Sequence, residues 1–210
     1  YYDTLNIYSQ GQQITIPVSG QIAPIYGDSI TDFDGNNYPT VWIGDQLWMA
    51  QNFKGQHDKE GNSLTSYVYD NANNVLYDWN NARAGAPEGW HLPTDEEWKQ
   101  LEMYLGLNRE QADNTGWRGT NQATKLKDIT YNGTDDFGFE ALLGGFRSDA
   151  GTLDGINNSG FWWTSSEYTD ATNKWLRTFA NDSGSIQRNI GSKDFAFSVR
   201  YVKNSATVQD

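Results

Sequence analysis

Gly89-Trp90-His91-Leu92-Pro93-Thr94-Asp95-Glu96-Glu97-Trp98 is the stretch on which the fold turns. Thr94 and Glu97 stand at the Thr-x-x-Glu spacing of a capping box, in which each side chain satisfies an otherwise orphaned backbone N–H at a helix start. Trp98, Leu101 and Leu105 follow on one face, and Gly106 is placed to end the helix. The spacing therefore predicts a helix opening after Thr94, with Leu92 and Trp98 in the core and Glu97 as a cap. His91, between Trp90 and Leu92, reads as a packed or hydrogen-bonded histidine rather than a ligand.

Working outward, shorter helices are expected over 108–114 and 120–128, and a helical candidate over 75–83. Strands are expected over 37–43 and 46–50, where Val41, Ile43, Leu47 and Met49 flank Gly44-Asp45-Gln46 as a hairpin, and again at Tyr67-Val68-Tyr69. Beyond Phe137 the segments 138–147, 160–166, 175–179, 186–188 and 195–202 read as strands. Residues 1–25 read as extended, with Ser9-Gln10-Gly11-Gln12 a turn between two strands and Pro17 marking an edge. Helices cluster mid-chain and strands at both ends. That segregation predicts an α+β fold, antiparallel sheets with two or three helices inserted mid-chain. The expected organisation is an N-terminal extended segment or end of a preceding β domain over 1–29, the main domain over 30–203, and a C-terminal tail over 204–210.

With no cysteine among 210 residues, disulfides, thiolate metal sites and thiol nucleophiles are excluded. Fifteen basic against 27 acidic residues give a formal charge of −12, which argues against nucleic acid as a partner. Apolar runs such as Ala141-Leu142-Leu143 are far shorter than the roughly 20 residues of a membrane-spanning helix. The sequence begins at Tyr1 without methionine or signal segment, so a processed or excised product is expected, with any lipid anchor upstream of Tyr1. Nine Trp, twelve Tyr, nine Phe and 21 Gly describe a loop-rich chain of the kind that suits an extracellular binding surface.

The segments 42–53, 87–98, Leu143-Gly144-Gly145-Phe146-Arg147, Phe161-Trp162-Trp163-Thr164-Ser165-Ser166 and Phe197-Ser198-Val199-Arg200-Tyr201 resemble, in order and spacing, the Fibrobacter succinogenes major paralogous domain across about residues 30 to 203. That resemblance implies a secreted or lipid-anchored surface protein, an outer-membrane lipoprotein by localisation, without enzymatic activity. The block around Leu92–Trp98 and the later Gly-Gly-Phe-Arg are also similar to the formylglycine-generating-enzyme superfamily, which implies a C-type-lectin-like fold. Many family members carry a cysteine just before the Pro-Glu-Gly-Trp block and another near the final strand. Here Ala86 and Tyr201 stand in those places, so the usual disulfide is missing.

The chemistry can be tested residue by residue. With no Cys and only His57 and His91, neither the copper site nor the three-histidine iron site of that superfamily can be built. His57 reads as solvated. No Gly-x-Ser-x-Gly elbow appears, so Ser165 and Ser166 read as a strand end. If a metal binds, calcium is expected, at Asp32, Asp34 and Asn36; these residues lack the downstream Glu of an EF-hand, and a hairpin turn is the favoured reading. Sugar stacking points to Trp117, Trp162 and Trp175, with Asn157 and Asn158 in a loop before the Trp-Trp strand. Glu97 is expected to pair with Arg147 or Arg200 beneath the sheet. The functional expectation is a non-catalytic binding domain for extracellular glycan or protein. A structural or assembly role in a surface lipoprotein or appendage is the alternative, and a glycoside hydrolase the minority one.

Overall fold

The computed structural model describes residues 3–9 and 12–18 as backbone, and 23–69 and 74–205. Strands β1 (Asp3–Ser9) and β2 (Gln12–Val18) form their own antiparallel ribbon, with Leu5 paired to Ile16, Ile7 to Ile14, and Ser9 to Gln12. The period-2 alternation of apolar residues there is what a two-stranded ribbon requires.

A five-stranded sheet follows, built from β3 (Ile25–Thr31), β4 (Asn37–Ile43), β5 (Gln46–Met49), β15 (Val202–Lys203) and β8 (Trp90–His91) in that spatial order. The β4–β5 hairpin is the expected one. Ile43 pairs with Gln46 across a two-residue turn, and Gly44 takes φ +61°, a conformation that glycine adopts without steric cost. Strand β3 runs across the expected boundary at 29 and 30, so the sheet of the main body begins at Ile25. The expected strand at Tyr67-Val68-Tyr69 is β6 (Ser66–Tyr69), and its hairpin partner β7 (Asn74–Tyr77) occupies the start of the segment expected to be helical. The helix α1 (Trp79–Ala84) starts only after Asp78, whose side chain accepts from the Asn81 N–H and fixes the start.

Helix α2 (Asp95–Tyr104) opens with the capping box that Thr94 and Glu97 predict, and α3 (Arg109–Asp113) carries a second box between Asn108 and Gln111. The third expected helix, over 120–128, is instead a run of turns ahead of a 3₁₀ turn at Ile129–Tyr131. The remaining strands are β9 (Gly116–Arg118), β10 (Gly144–Arg147), β11 (Leu153–Ile156), β12 (Ser159–Glu167), β13 (Asn173–Ala180) and β14 (Ile186–Ser192). They form a six-stranded sheet in the order β11-β10-β12-β13-β14-β9. One pair in it, β10 with β12, is parallel, a departure from the all-antiparallel expectation. Of 195–202, only Val202 lies in a strand; Ala196, Phe197 and Ser198 join neighbours by single bridges. The fold is mostly sheet, with three short α-helices among the described residues.

Two apolar cores flank the sheets. Val41, Ile43, Trp48, Trp98, Leu101, Phe139, Trp162 and Phe179 fill one; Tyr38, Met49, Phe53, Tyr77, Trp163, Phe197 and Tyr201 belong to the other. Trp162 and Trp163, successive residues of β12, are both fully buried and point to opposite cores, as strand geometry demands of neighbours.

Candidate functional site

Strand β8 and the start of α2 hold His91 against the chain's last strand. With both ring nitrogens protonated, His91 donates from Nε2 to the Glu97 carboxylate at 2.8 and 2.9 Å and from Nδ1 to Asn204 Oδ1 at 2.6 Å. The hydrogen bond to Glu97 raises the His91 pKa against the opposing effect of partial burial. Burial alone would raise the Glu97 carboxyl, but the bonds from His91 and Thr94 pull it below the ordinary glutamate value. Glu97 therefore serves His91 and the helix cap, and pairs with neither Arg147 nor Arg200. Arg147 stacks on the Tyr67 ring at 4.0 Å. Arg200, fully buried, donates to Asn52 Oδ1 and to the carbonyls of Met49, Phe139 and Glu140. The reason is positional: Glu97 stands in the first turn of α2, within reach of β8, whereas Arg147 is held by the Tyr67 ring and the Ser148 carbonyl and Arg200 by acceptors on other segments. Ser165 and His91 line one cleft of about 360 Å³, yet His91 has no nitrogen left to activate the hydroxyl.

The expected stacking residues separate. Trp162 is buried in the core, with Nε1 donating to Asn52 Oδ1 at 3.0 Å, because β12 is covered on both faces. Trp175 is half-buried under the Arg188 guanidinium at 3.6 Å, with the Tyr168 ring edge-on at 5.1 Å. Trp117 is 49% exposed on the edge strand β9. Register puts Trp117 opposite Gln187 and Thr178, and Trp175 opposite Ile190, so the two indoles lie on opposite faces of the sheet. Around Trp117 is a depression of about 380 Å³ that includes Gln111, Asn114 and Thr115. Among the described residues, the side-chain amides of Asn114 and Gln187 and the Thr115 hydroxyl have no protein partner.

Asn157 and Asn158 lie at the β11–β12 turn, both exposed, with Asn157 at φ +62°. Asn157 is held by the Tyr131 hydroxyl and the Asn181 amide, while Asn158 borders a groove of about 340 Å³ with Asn132, Ser159, Asn181 and Asp182. Beneath it, Lys127 is buried and donates its ammonium to the carbonyls of Ala180, Asn181 and Ser183, which fixes the β13–β14 loop. The same loop touches the Trp117 side: Ser185 Oγ donates to the Gly119 carbonyl at 2.8 Å. Trp117 and the Asn158 groove thus border one loop, and Trp175 stands at the other end of β13.

The Asp32–Asn36 segment is the β3–β4 turn. The Asp32 carboxylate accepts from Asn36 N, Asn36 Nδ2 and the Tyr38 hydroxyl; the Asp34 carboxylate accepts from Gln56 N, His57 N and His57 Nδ1. These donors occupy the oxygens that the metal reading would use. His57 is accordingly hydrogen-bonded through Nδ1 to Asp34 at 2.5 Å and packed beside Phe33, not simply solvated. Among the described residues no group of three or more His, Cys, Asp or Glu is arranged to hold a metal.

A family model, the Fibrobacter succinogenes major domain, matches residues 41–203. The chain belongs to that family. No curated protein and no solved structure matches it. The family match covers α2 and the whole six-stranded sheet, and begins inside β4, leaving the β1–β2 ribbon and β3 outside. At the two places where the resemblance implied cysteines, Tyr201 is buried in the second core with its hydroxyl donating to the Ala82 carbonyl, and Ala86 packs against that same core.

Two features escaped the sequence reading. One is an ionic cluster under α2. Asp95 and Glu102, one heptad apart and both buried, take Arg177 between them, while Arg188 completes Asp95 and Arg118 completes Glu102. Burial alone would raise the Asp95 carboxyl, but Arg188 and Arg177 hold it far below the ordinary aspartate value. Its signal was present: Asp95 and Glu102 share the Trp98 face of the helix, and Arg177 and Arg188 fall in adjacent strands. The other is Trp42, 41% exposed beside a cleft of about 560 Å³.

Proposed function

We propose that this chain is a non-catalytic binding domain of the cell surface or extracellular space that recognises glycan, with a C-type-lectin-like arrangement of its sheets and helices. The observation that carries the reading is Trp117: a half-exposed indole set among uncommitted amides and a hydroxyl, at the loop that also borders the amide-lined Asn158 groove. An exposed indole face with hydrogen-bonding groups around it suits the apolar face and hydroxyl rim of a sugar ring. Secretion as an outer-membrane lipoprotein is part of the same proposal, as is independence from calcium at the Asp32–Asn36 turn.

The test is a glycan array followed by titration calorimetry on the hits. Trp117→Ala is expected to weaken binding about tenfold or more, as removal of an aromatic anchor does, with the thermal midpoint little changed. An array blank at high protein concentration would remove the reading. A second reading, an assembly role, is favoured by the β1–β2 ribbon, which is paired with itself and lies outside the family match. It predicts that deleting residues 1–22 changes association in sedimentation while the body stays folded.

A further inference from the structure

Asn204, the residue after β15, is tied at two points. Its backbone N–H donates to the Gly89 carbonyl at 2.9 Å, and its Oδ1 accepts from His91 Nδ1 at 2.6 Å. The His91 ring is held from its other nitrogen by the Glu97 carboxylate, so three segments, β8, α2 and the chain end, meet on one imidazole. Both partners present oxygen to the ring, and only the doubly protonated form can donate to both. Asn204 also lines two clefts: the one of about 360 Å³ together with His91, and the one of about 560 Å³ together with Glu97. The His91–Asn204 bond therefore closes the wall between them.

When the ring loses one proton, the other stays on Nε2, because Glu97 is ionised in that range and can only accept. Nδ1 is then a bare lone pair facing Asn204 Oδ1, two acceptors in contact. Lys59, Arg83 and Glu88 share the smaller cleft with His91, with Lys59 spent on Glu88 at 2.7 Å, and Asp45 and Lys203 stand in the larger one. Glu97 is the charge that bonds to the ring and governs its protonation.

We propose that His91 is a proton-controlled clasp on the chain end: doubly protonated it pins Asn204 against β8, and on losing the Nδ1 proton it releases Asn204, so that the two clefts run together. The bond to Glu97 holds the proton against the opposing effect of burial, so release sets in above the ordinary histidine value of 6.5. The clasp is separate from Trp117 and stands whether or not glycan binds there.

The test follows the hydrogen exchange of the Asn204 amide by NMR on the full chain, from about pH 5.5 to about 8.5, with the His91 ring titrated in the same samples. Exchange is expressed as a protection factor, which removes the intrinsic pH dependence. Protection of Asn204 is expected to fall about tenfold as His91 deprotonates, the worth of one hydrogen bond from a charged group, while amides of the six-stranded sheet stay level. His91→Gln should make the protection independent of pH. Asn204→Asp, which can only accept, should raise the His91 midpoint and move the fall in protection up with it. Level protection in the native chain while His91 titrates overturns the proposal: the Asn204 amide then turns in place and donates from Nδ2 to the bare nitrogen, a turn that Asn204→Asp cannot make. A fall that persists in folded His91→Gln belongs to another group and overturns it too. If His91→Gln does not fold, Asn204→Asp decides, since a His91 midpoint that moves without the fall in protection moving with it sinks the clasp.

Discussion

At His91 the structure ties a charge to a place. Its folded pKa lies above the ordinary 6.5, so its stabilising contribution is present below that pH and lost as pH rises through the raised value. Glu97 lies below the ordinary 4.5, so its contribution is present above that pH and lost as pH falls through the lowered value. The pair is therefore strongest between about pH 4.5 and 6.5. His91→Gln is expected to flatten the fall in thermal midpoint between pH 6 and 8. Asp135 behaves oppositely. Burial, with Glu140 nearby, pushes its carboxyl up to about 6, so its ionisation costs stability as pH rises from the ordinary aspartate range toward 6. Asp135→Asn should stabilise the protein at pH 7 by about 1 kcal/mol, discounted for its partial exposure, and the gain should vanish in melts below pH 4. The sequence disclosed His91 as a bonded plug, since a polar ring between Trp90 and Leu92 must find partners. Its partner Asn204 lies 113 residues away, beyond the reach of any local pattern.

Helix α2 was legible because its information is local: a cap at Thr94, an apolar period through Leu105 and a glycine after it. Thr94→Ala should cost about 1 kcal/mol in urea unfolding. The turns at 121–127 misled for the converse reason. Ala123, Lys125, Leu126 and Lys127 favour helix, yet Lys127 bridges to Ala141 and sends its ammonium into three carbonyls, so tertiary contacts override propensity. The ionic cluster under α2 makes the sharpest prediction for an element. Arg177→Leu removes the guanidinium that bridges Asp95 and Glu102, leaving Asp95 to Arg188 and Lys99 and Glu102 to Arg118, and should cost about 3 kcal/mol. Adding Glu102→Leu should deepen that loss, because it also takes the carboxylate from buried Arg118, and the departure from additivity reads the Arg177–Glu102 coupling in a double-mutant cycle.

For the molecule as a whole, composition and strand patterning carried the α+β expectation, and the family block carried the membership. Exposure did not come with them. Trp117 fell between two expected helices and Trp162 in an expected strand, yet both are in strands, one on the sheet edge and the other covered on both faces, a distinction that only strand order supplies. Trp42 went unremarked because its cleft is assembled from the β4–β5 hairpin, α2 and the last strand, three segments far apart in the chain.

The adjacent burial of Trp162 and Trp163 carries a thermodynamic consequence. Because neighbouring residues of one strand each anchor a different core, neither core can loosen without pulling β12 out of the other. The body of the protein should therefore melt as a single unit despite its three sheets and two apolar clusters, with calorimetric and van't Hoff enthalpies equal for residues 23–205. Trp163→Leu, although it touches only the second core, should lower one common midpoint rather than split the transition in two.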